Sequence, residues 1–452
     1  MAKSRERYVC EACGTEVSRW SGRCPDCGAW NTLNEVSRIA PRSSGLRGGG
    51  YAGTTDVVPL NAVKAETHHR IVTGIGEFDR VLGGGVVGGS VILIGGDPGI
   101  GKSTLLLQVA ARLATQSPVL YVTGEESPAQ VALRAARLGL TDSALTLAAE
   151  TRVEAVLDLI ARSGPTAVVI DSVQTMFSDA LSSTPGSVSQ LRESTAMLVR
   201  SAKQSGVVMF LVGHVTKQGA IAGPRVLEHM VDTVLYFESD AGSRYRVIRA
   251  VKNRFGGANE LGVFAMTTQG LKEVRNPSAI FLARDKDGSP GSVITVLREG
   301  TRPLLVEIQA LVDESPLANP RRVVLGSDAN RLGMLLAVLH RHGGRALYGH
   351  DVYINVVGGL RTSETGIDLA IIFALISSLS DRPLPAGLVV FGEVGLGGEI
   401  RPVYGGEERL AEAATQGFTR AIVPAANIPR SRTIKTMTLQ PVRVLAEALD
   451  LL

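Results

Sequence analysis

Between residues 57 and 276 the chain alternates short apolar runs with amphipathic stretches, and this alternation constrains its fold more than any other feature. VILIGG (91–96), VLYVTG (119–124), AVVID (167–171) and VVMFLVG (207–213) have the length and β-branched content of strands buried on both faces. Between them, residues 103–115, 128–138, 153–161 and 188–204 carry apolar side chains at helical spacing. Strand, helix and strand repeated in this way predict an α/β fold, a mostly parallel sheet between helices. From residue 279 the pattern changes. SVITVLREG and RPLLVEIQALVDE alternate like paired strands; helices are expected at 329–340, 365–378 and 406–416, a strand at 351–356 and a hairpin in VVFGEVGLGGEIRPV.

One segment of the first region has a chemical purpose legible from its letters. Gly96-Asp97-Pro98-Gly99-Ile100-Gly101-Lys102-Ser103 fits GxxxxGK[ST], follows an apolar strand and opens a helix, the context that the motif requires. Glycines let backbone N–H groups curl around phosphate oxygens, and a helix N-terminus adds positive potential. Gly96 through Thr104 are therefore the expected ATP-binding residues, with Lys102 on the β- and γ-phosphates and Ser103 on Mg²⁺. Asp171 ends the strand AVVID and is suited to the same magnesium. Glu125 and Glu126 end another strand; either suits the water that attacks the γ-phosphate, and spacing does not choose between them or exclude a helix N-terminal pair. His214 ends a fourth strand, as a γ-phosphate sensor or as a structural histidine.

The four cysteines of the chain all fall between residues 10 and 27. Cys10-x2-Cys13 and Cys24-x2-Cys27 are two knuckles ten residues apart, and four thiolates satisfy tetrahedral Zn²⁺. So short a segment has little core, and metal binding supplies folding energy in its place. The charged start, MAKSRERYVC, does not read as a secretion signal, which disfavours disulfides and gives a cytoplasmic expectation. Trp20, Arg23 and Trp30 flank the knuckles, to stack on bases or a partner or to pack on a neighbouring domain. Residues 37–56 are rich in Gly, Ser and Arg and read as a flexible basic linker. The expected organisation is a zinc finger at 1–36, the linker at 37–56, an ATPase domain at 57–278 and an α+β domain at 279–452. No run is long and apolar enough for a transmembrane helix, so no membrane partner is expected. A net charge of +4 permits nucleic-acid binding without requiring it.

The P-loop, the strand-end glutamates, Asp171 and the histidine loop resemble the RecA-like ATPases, and Thr73-Gly74-Ile75-Gly76-Glu77-Phe78-Asp79 with Gly83-Gly84-Gly85 resembles their KaiC-like branch. With the four-cysteine finger and the string Lys252-Asn253-Arg254-Phe255-Gly256, the whole chain resembles the bacterial RadA (Sms) family. That resemblance implies a hexameric ring that hydrolyses ATP and moves on single-stranded DNA. It would process branched joint molecules made by the RecA recombinase, its partner. It also implies that Lys252 and Arg254 act on a neighbour's γ-phosphate or couple to DNA, where residues alone suggest a solvated basic turn. DNA is expected in the pore, against 178–189 and 216–225, including Lys217 and Arg225, through phosphates and without sequence preference.

Residues 356–379 resemble the active segment of the Lon protease domain. Glu364 stands where that family has its serine, and the stretch Gly405-Gly406-Glu407-Glu408 lacks its lysine. Ser-Lys chemistry needs a hydroxyl and an amine in contact, so the domain is expected to be proteolytically inactive and to serve as a scaffold. Arg321, Arg322, Arg331, Arg341 and Arg345 are candidate DNA contacts on it, or a dispersed solvated face. The competing functions are a KaiC-like signalling ATPase or autokinase, which lacks the finger and KNRFG, and an ATP-fuelled protease, opposed by Glu364 and Glu408.

Overall fold

The computed structural model describes residues 8–10, 15–17, 20–30, 33–35, 59, 69–214, 226–239, 244–278, 282, 288–316, 318–429 and 436–452. The chain forms two compact units, Met1–Val57 and Val58–Leu452. In the first, β1 (Tyr8–Cys10), β2 (Glu16–Val17) and β3 (Leu33–Glu35) pair antiparallel in the order β2–β1–β3.

The second unit begins with a ribbon of β4 (Arg70–Ile71) and β5 (Val86–Val87) flanking helix α1 (Gly76–Val81). Next come β6 (Val91–Gly95), α2 (Lys102–Leu113), β7 (Val119–Thr123), α3 (Pro128–Arg137), β8 (Thr146–Ala149) and α4 (Val153–Ser163). β9 (Ala167–Asp171), α5 (Val188–Ser205), β10 (Val208–Val212) and β11 (Thr233–Glu238) complete the parallel part. Every strand of β6, β7, β9 and β10 is buried along its length, with apolar clusters on both faces, as two-sided helix cover requires.

The sheet then departs from the parallel pattern. β12 (Tyr245–Asn253), β13 (Leu261–Thr267) and β14 (Gly270–Glu273) add antiparallel, giving nine strands in the order β14–β13–β12–β11–β6–β10–β9–β7–β8. Chain length decides this. Seven residues separate β12 from β13 and two separate β13 from β14, whereas a parallel crossover needs about a dozen.

A second sheet of seven strands follows. Its elements are β15 (Ser292–Glu299), β16 (Arg302–Glu314), β17 (Arg322–Leu325), α6 (Ala329–Gly343), β18 (His350–Val356) and α7 (Asp368–Leu379). β19 (Leu388–Val390), the hairpin β20 (Glu393–Val394) and β21 (Ile400–Arg401), α8 (Gly406–Thr415), β22 (Arg420–Pro424), β23 (Thr438–Val442) and α9 (Leu445–Leu449) complete it. The order is β17–β18–β16–β15–β19–β22–β23, with the apolar α7 packed on β15 and β16. The two sheets are joined. Leu261 and Val263 of β13 belong to the same apolar cluster as Leu304, Val306 and Phe373. Glu77 of α1 accepts both hydrogen bonds of Arg302 Nη1, at 3.0 and 2.8 Å, and one from the Val263 N–H at 2.9 Å. Arg249 bridges Glu238 and Glu299. Among the described residues no helix is long and apolar enough to cross a membrane.

Candidate functional site

The carboxyl ends of β6, β7, β9 and β10 bring the candidate residues to one edge of the first sheet. β6 passes directly into the loop 96–101, where Gly96, Gly99 and Gly101 have φ of +148°, +74° and +120°. A Cβ on Gly96 would stand 2.9 Å from Phe237 Cβ, and one on Gly101 would stand 2.8 Å from Met266 Cε, so the loop needs glycine for space as well as for conformation. Lys102 opens α2 and folds back. Its Nζ donates to the Gly96 and Asp97 carbonyls at 2.8 and 2.9 Å. Burial pulls its pKa down to about 8, opposed by the carboxylates of Asp171, Asp97 and Glu125. An ammonium so desolvated, above glycines that admit close approach, is a seat for an anionic phosphate chain. Ser103 and Thr104 continue the helix half-buried, Pro98 is at the exposed crest, and Arg246 Nε holds the Ile100 carbonyl at 3.1 Å.

Asp171 ends β9, buried, and its Oδ2 accepts the Tyr121 hydroxyl at 2.5 Å. Burial first, then the Asp171 charge, pushes the Tyr121 phenol well up, so it remains a donor. The two glutamates differ. Glu125 accepts a hydrogen bond from the Ser172 hydroxyl and faces His214 Nε2 at 3.4 Å. Glu126 is held in an ion pair by Arg134 of α3. Neither caps that helix: Ser127 does, its Oγ accepting from the Gln130 N–H while Gln130 Oε1 accepts from the Ser127 N–H. His214 sits beside Gln174, whose Nε2 donates to the His214 carbonyl at 3.3 Å. His214 Nδ1 and Gln174 Oε1 are buried without a hydrogen-bond partner among the described residues. Burial, and then the Lys102 charge, lower the His214 pKa below its usual value.

The KNRFG string lies at the other end of the sheet. Lys252 is part of β12 and not of a solvated basic turn, as the residues alone suggested; the ladder pairs it with Val234. Its Nζ donates to the Glu228 and Val231 carbonyls at 2.7 and 2.8 Å. Arg254 pairs with buried Asp232 at 3.2 Å and is itself more than half exposed. Asp232 also accepts from Lys203 Nζ at 2.6 Å and from the N–H of Val91, the first residue of β6. Val91 to Gly95 is four strand steps, so Arg254 and the P-loop are separated by the length of β6, roughly 13 Å at ~3.3 Å per residue. Lys217 and Arg225 lie outside the described residues. In the other candidate DNA segment, Gln190 Nε2 donates to the carbonyls of Ser178, Leu181 and Ser183, gathering 178–183 against α5.

In the second sheet Glu364 accepts the Arg298 N–H at 2.7 Å and pairs with the guanidinium of Arg409, which is 2 % exposed. Where the Lon resemblance expects a serine, the side chain is thus tied into an ion pair. Two of the candidate basic contacts are also committed internally. Arg331 pairs with buried Asp368, and Arg322 donates to the carbonyls of Arg321, Leu347 and His350. In the first unit Gly28, at φ +71°, donates to the Cys24 carbonyl at 3.0 Å, and Cys24 donates to the Ala29 carbonyl at 2.9 Å. This tight turn holds Cys24 buried and Cys27 exposed, a knuckle of the kind that presents two thiolates to one metal. Cys13 and the side chain of Cys10 lie outside the described residues. Trp20 and Trp30 are exposed, with the Arg23 guanidinium 5.9 Å from the Trp30 ring. Tyr121, Ser172, Gln174 and Asp232 are the participants that the motifs did not reveal; only Ser172, next to Asp171, carried any positional signal.

Known proteins place these observations in a lineage. Residues 62–220 match the AAA domain family, residues 8–35 the rubredoxin metal binding domain, and residues 337–427 the family of subunit ChlI of Mg-chelatase. The chain is 58 % identical to the DNA repair protein RadA of Pseudomonas aeruginosa over 100 % of both chains. It is 55 % identical to that of Escherichia coli, over 100 % of this chain and 99 % of the relative, and 49 % identical to that of Bacillus subtilis, over 99 % of each. With an ATP-hydrolysing core, a zinc ribbon and a Lon-like C-terminal region, the chain belongs to the RadA family.

Proposed function

We propose that this protein is a DNA-stimulated ATPase of recombinational DNA repair, working as a ring, most simply a hexamer, in the cytoplasm. It translocates on single-stranded DNA and extends or migrates the branched joint molecules that RecA makes. One observation carries the reading: the P-loop cluster and the KNRFG cations lie at opposite ends of one sheet. Arg254 is therefore far from its own P-loop and suited to a neighbouring copy's nucleotide, where a cation supplies transition-state charge.

Within each site Lys102 binds the β- and γ-phosphates and the Gly96–Thr104 backbone cradles them. Glu125 orients the attacking water, since Glu126 is engaged by Arg134. His214, in contact with Glu125, senses the γ-phosphate and relays its loss to the following loop. Ser103 and Asp171 would hold Mg²⁺, a hydroxyl and a carboxylate of the hard-oxygen type that this ion selects. When bound, the ion would neutralise charge on the phosphates. Cys10, Cys13, Cys24 and Cys27 would hold Zn²⁺ as a structural site. Lys217, Arg225, Lys252 and Arg254 contact DNA phosphates, so binding weakens steeply with salt.

Mixing two inactive variants tests the arrangement. Lys102→Ala and Arg254→Ala should each lose hydrolysis, and a re-assembled mixture should regain a measurable part of it, because an intact P-loop then meets an intact Arg254. No recovery in mixed oligomers would place Arg254 in its own subunit's chemistry. In the wild type, single-stranded DNA should raise the ATPase rate and a tailed duplex should be unwound; an unchanged rate would favour a KaiC-like signalling ATPase.

A further inference from the structure

Tyr121 lies in the middle of β7, fully buried, with its ring inside an apolar cluster that includes Val131, Val169 and Phe210. A phenylalanine would fill that space. The hydroxyl alone reaches a polar atom, Asp171 Oδ2, at 2.5 Å. Register explains the reach. β7 and β9 run parallel with Tyr121 opposite Val169 and Thr123 opposite Asp171. Tyr121 and Asp171 are thus diagonal neighbours on one face, a separation that a long aromatic side chain spans and a short one does not. The bond occupies a lone pair of Oδ2 and fixes the plane of the carboxylate, leaving Oδ1 outside it.

We infer that Tyr121 is a positioning residue for the metal-holding carboxylate, setting the affinity of the site for a divalent cation rather than for the nucleotide itself. The inference rests on the reading of Asp171 as a magnesium ligand. Hydrogen-bond partners of metal ligands orient them, and losing one typically costs 10–100-fold in metal affinity. Among the described residues the Tyr121 hydroxyl makes its hydrogen bond to Asp171 and none to the Gly96–Thr104 loop, so metal-free nucleotide binding should not depend on it.

The test is Tyr121→Phe in the full chain, read by binding of a fluorescent ADP analogue at increasing Mg²⁺, and by Mn²⁺ binding followed by electron paramagnetic resonance. Tyr236→Phe is the control. It deletes a similar bond, from the Tyr236 hydroxyl to Glu228 Oε1 at 2.8 Å, in the same sheet. Tyr121→Phe should need about tenfold more Mg²⁺ for half-maximal effect and bind Mn²⁺ about tenfold more weakly. Its affinity for the analogue in EDTA should match wild type, and Tyr236→Phe should match wild type throughout. An unchanged Mg²⁺ midpoint overturns the inference, as does equal weakening in EDTA or the same shift in Tyr236→Phe, either of which would mark a packing role. If wild-type protein shows no Mg²⁺ dependence and Asp171→Asn binds Mn²⁺ normally, it is the reading of Asp171 that falls.

Discussion

Glu125 and Glu126 are adjacent, alike in charge and alike in distance from the P-loop along the chain, yet the folded protein makes them different reagents. Arg134 lies eight residues from Glu126, on the first helix after β7, and takes that carboxylate. Glu125 is left to Ser172, His214 and the nucleotide edge. Glu125→Gln should therefore lower ATP turnover about 100-fold or more, in the range for losing a positioned general base, with nucleotide binding retained. Glu126→Gln should leave turnover within a few-fold and lower thermal stability instead; equal losses of turnover would show that both act on water. His214 carries a pH signature. Burial and the nearby Lys102 charge hold its pKa below 6.5, against the pull of Glu125 and Asp171. An unfolded chain takes up that proton first as pH falls. The stability contributed by the neutral ring is complete above about pH 6.5, and it is lost as pH drops from there through the folded pKa. A histidine ring NMR titration should show a midpoint below 6.5; one above it would mean that Glu125 governs the ring. The motif letters gave Lys102, Asp171 and the glutamate pair, because a P-loop fixes local backbone. They were silent on how the two glutamates differ, because the Arg134 pair that engages Glu126 is a contact made on folding.

At the scale of elements, the strands buried on both faces were the legible part. β6, β7, β9 and β10 are unbroken apolar runs, and their ends fall within a residue of the expected ones. β12 mixes half-buried and exposed positions, and its cations Arg246, Arg249 and Lys252 hide the strand in a basic run. β17 and β23 were not legible for the same reason: short strands with mostly exposed or half-buried positions say little without their neighbours. The segment that resembles the Lon active region gives a second case. The absence of a serine at 364 and of a lysine at 405–408 could be read from the sequence, whereas the Glu364–Arg409 pair joins residues 45 apart and is made only on folding. Arg409 is almost fully buried, and also donates to the Tyr404 and Val296 carbonyls. Glu364→Ser would restore the protease-like letter and leave a buried guanidinium without its counter-charge, at a cost of about 3–5 kcal/mol. Urea unfolding should register that loss, and no peptidase activity should appear. Glu364→Gln keeps an acceptor for the Arg298 N–H and should cost less. A serine variant as stable as wild type would show that Arg409 finds another partner.

Over the larger unit, the question is whether two sheets fold as one. A punctuation at Asn276-Pro277 reads as a boundary, yet the side chains on either side of it are interlocked. Arg302 of the second sheet reaches Glu77 on α1, before the P-loop; both are largely buried, and Glu77 also receives the Val263 N–H. The GEFD segment that resembles the KaiC-like branch therefore holds a joint between sheets, as well as a position ahead of the nucleotide loop. Arg302→Ala leaves the buried Glu77 carboxylate with the Val263 N–H and the more distant Arg80, 3.8 Å away, and should cost at most about 3–5 kcal/mol. The apolar part of the joint survives this change, because Leu261 and Val263 remain packed with Leu304 and Val306. Calorimetry of the full chain should accordingly show the main transition of residues 58–452 moving to lower temperature as a single peak. Splitting into two peaks would mean that the ion pair, and not the shared apolar core, makes the sheets cooperative. An unmoved peak would mean that Glu77 takes up a proton or a water in place of Arg302. In the expected outcome the nucleotide end of the molecule and the Lon-like end share one folding unit, held by the apolar residues common to both sheets.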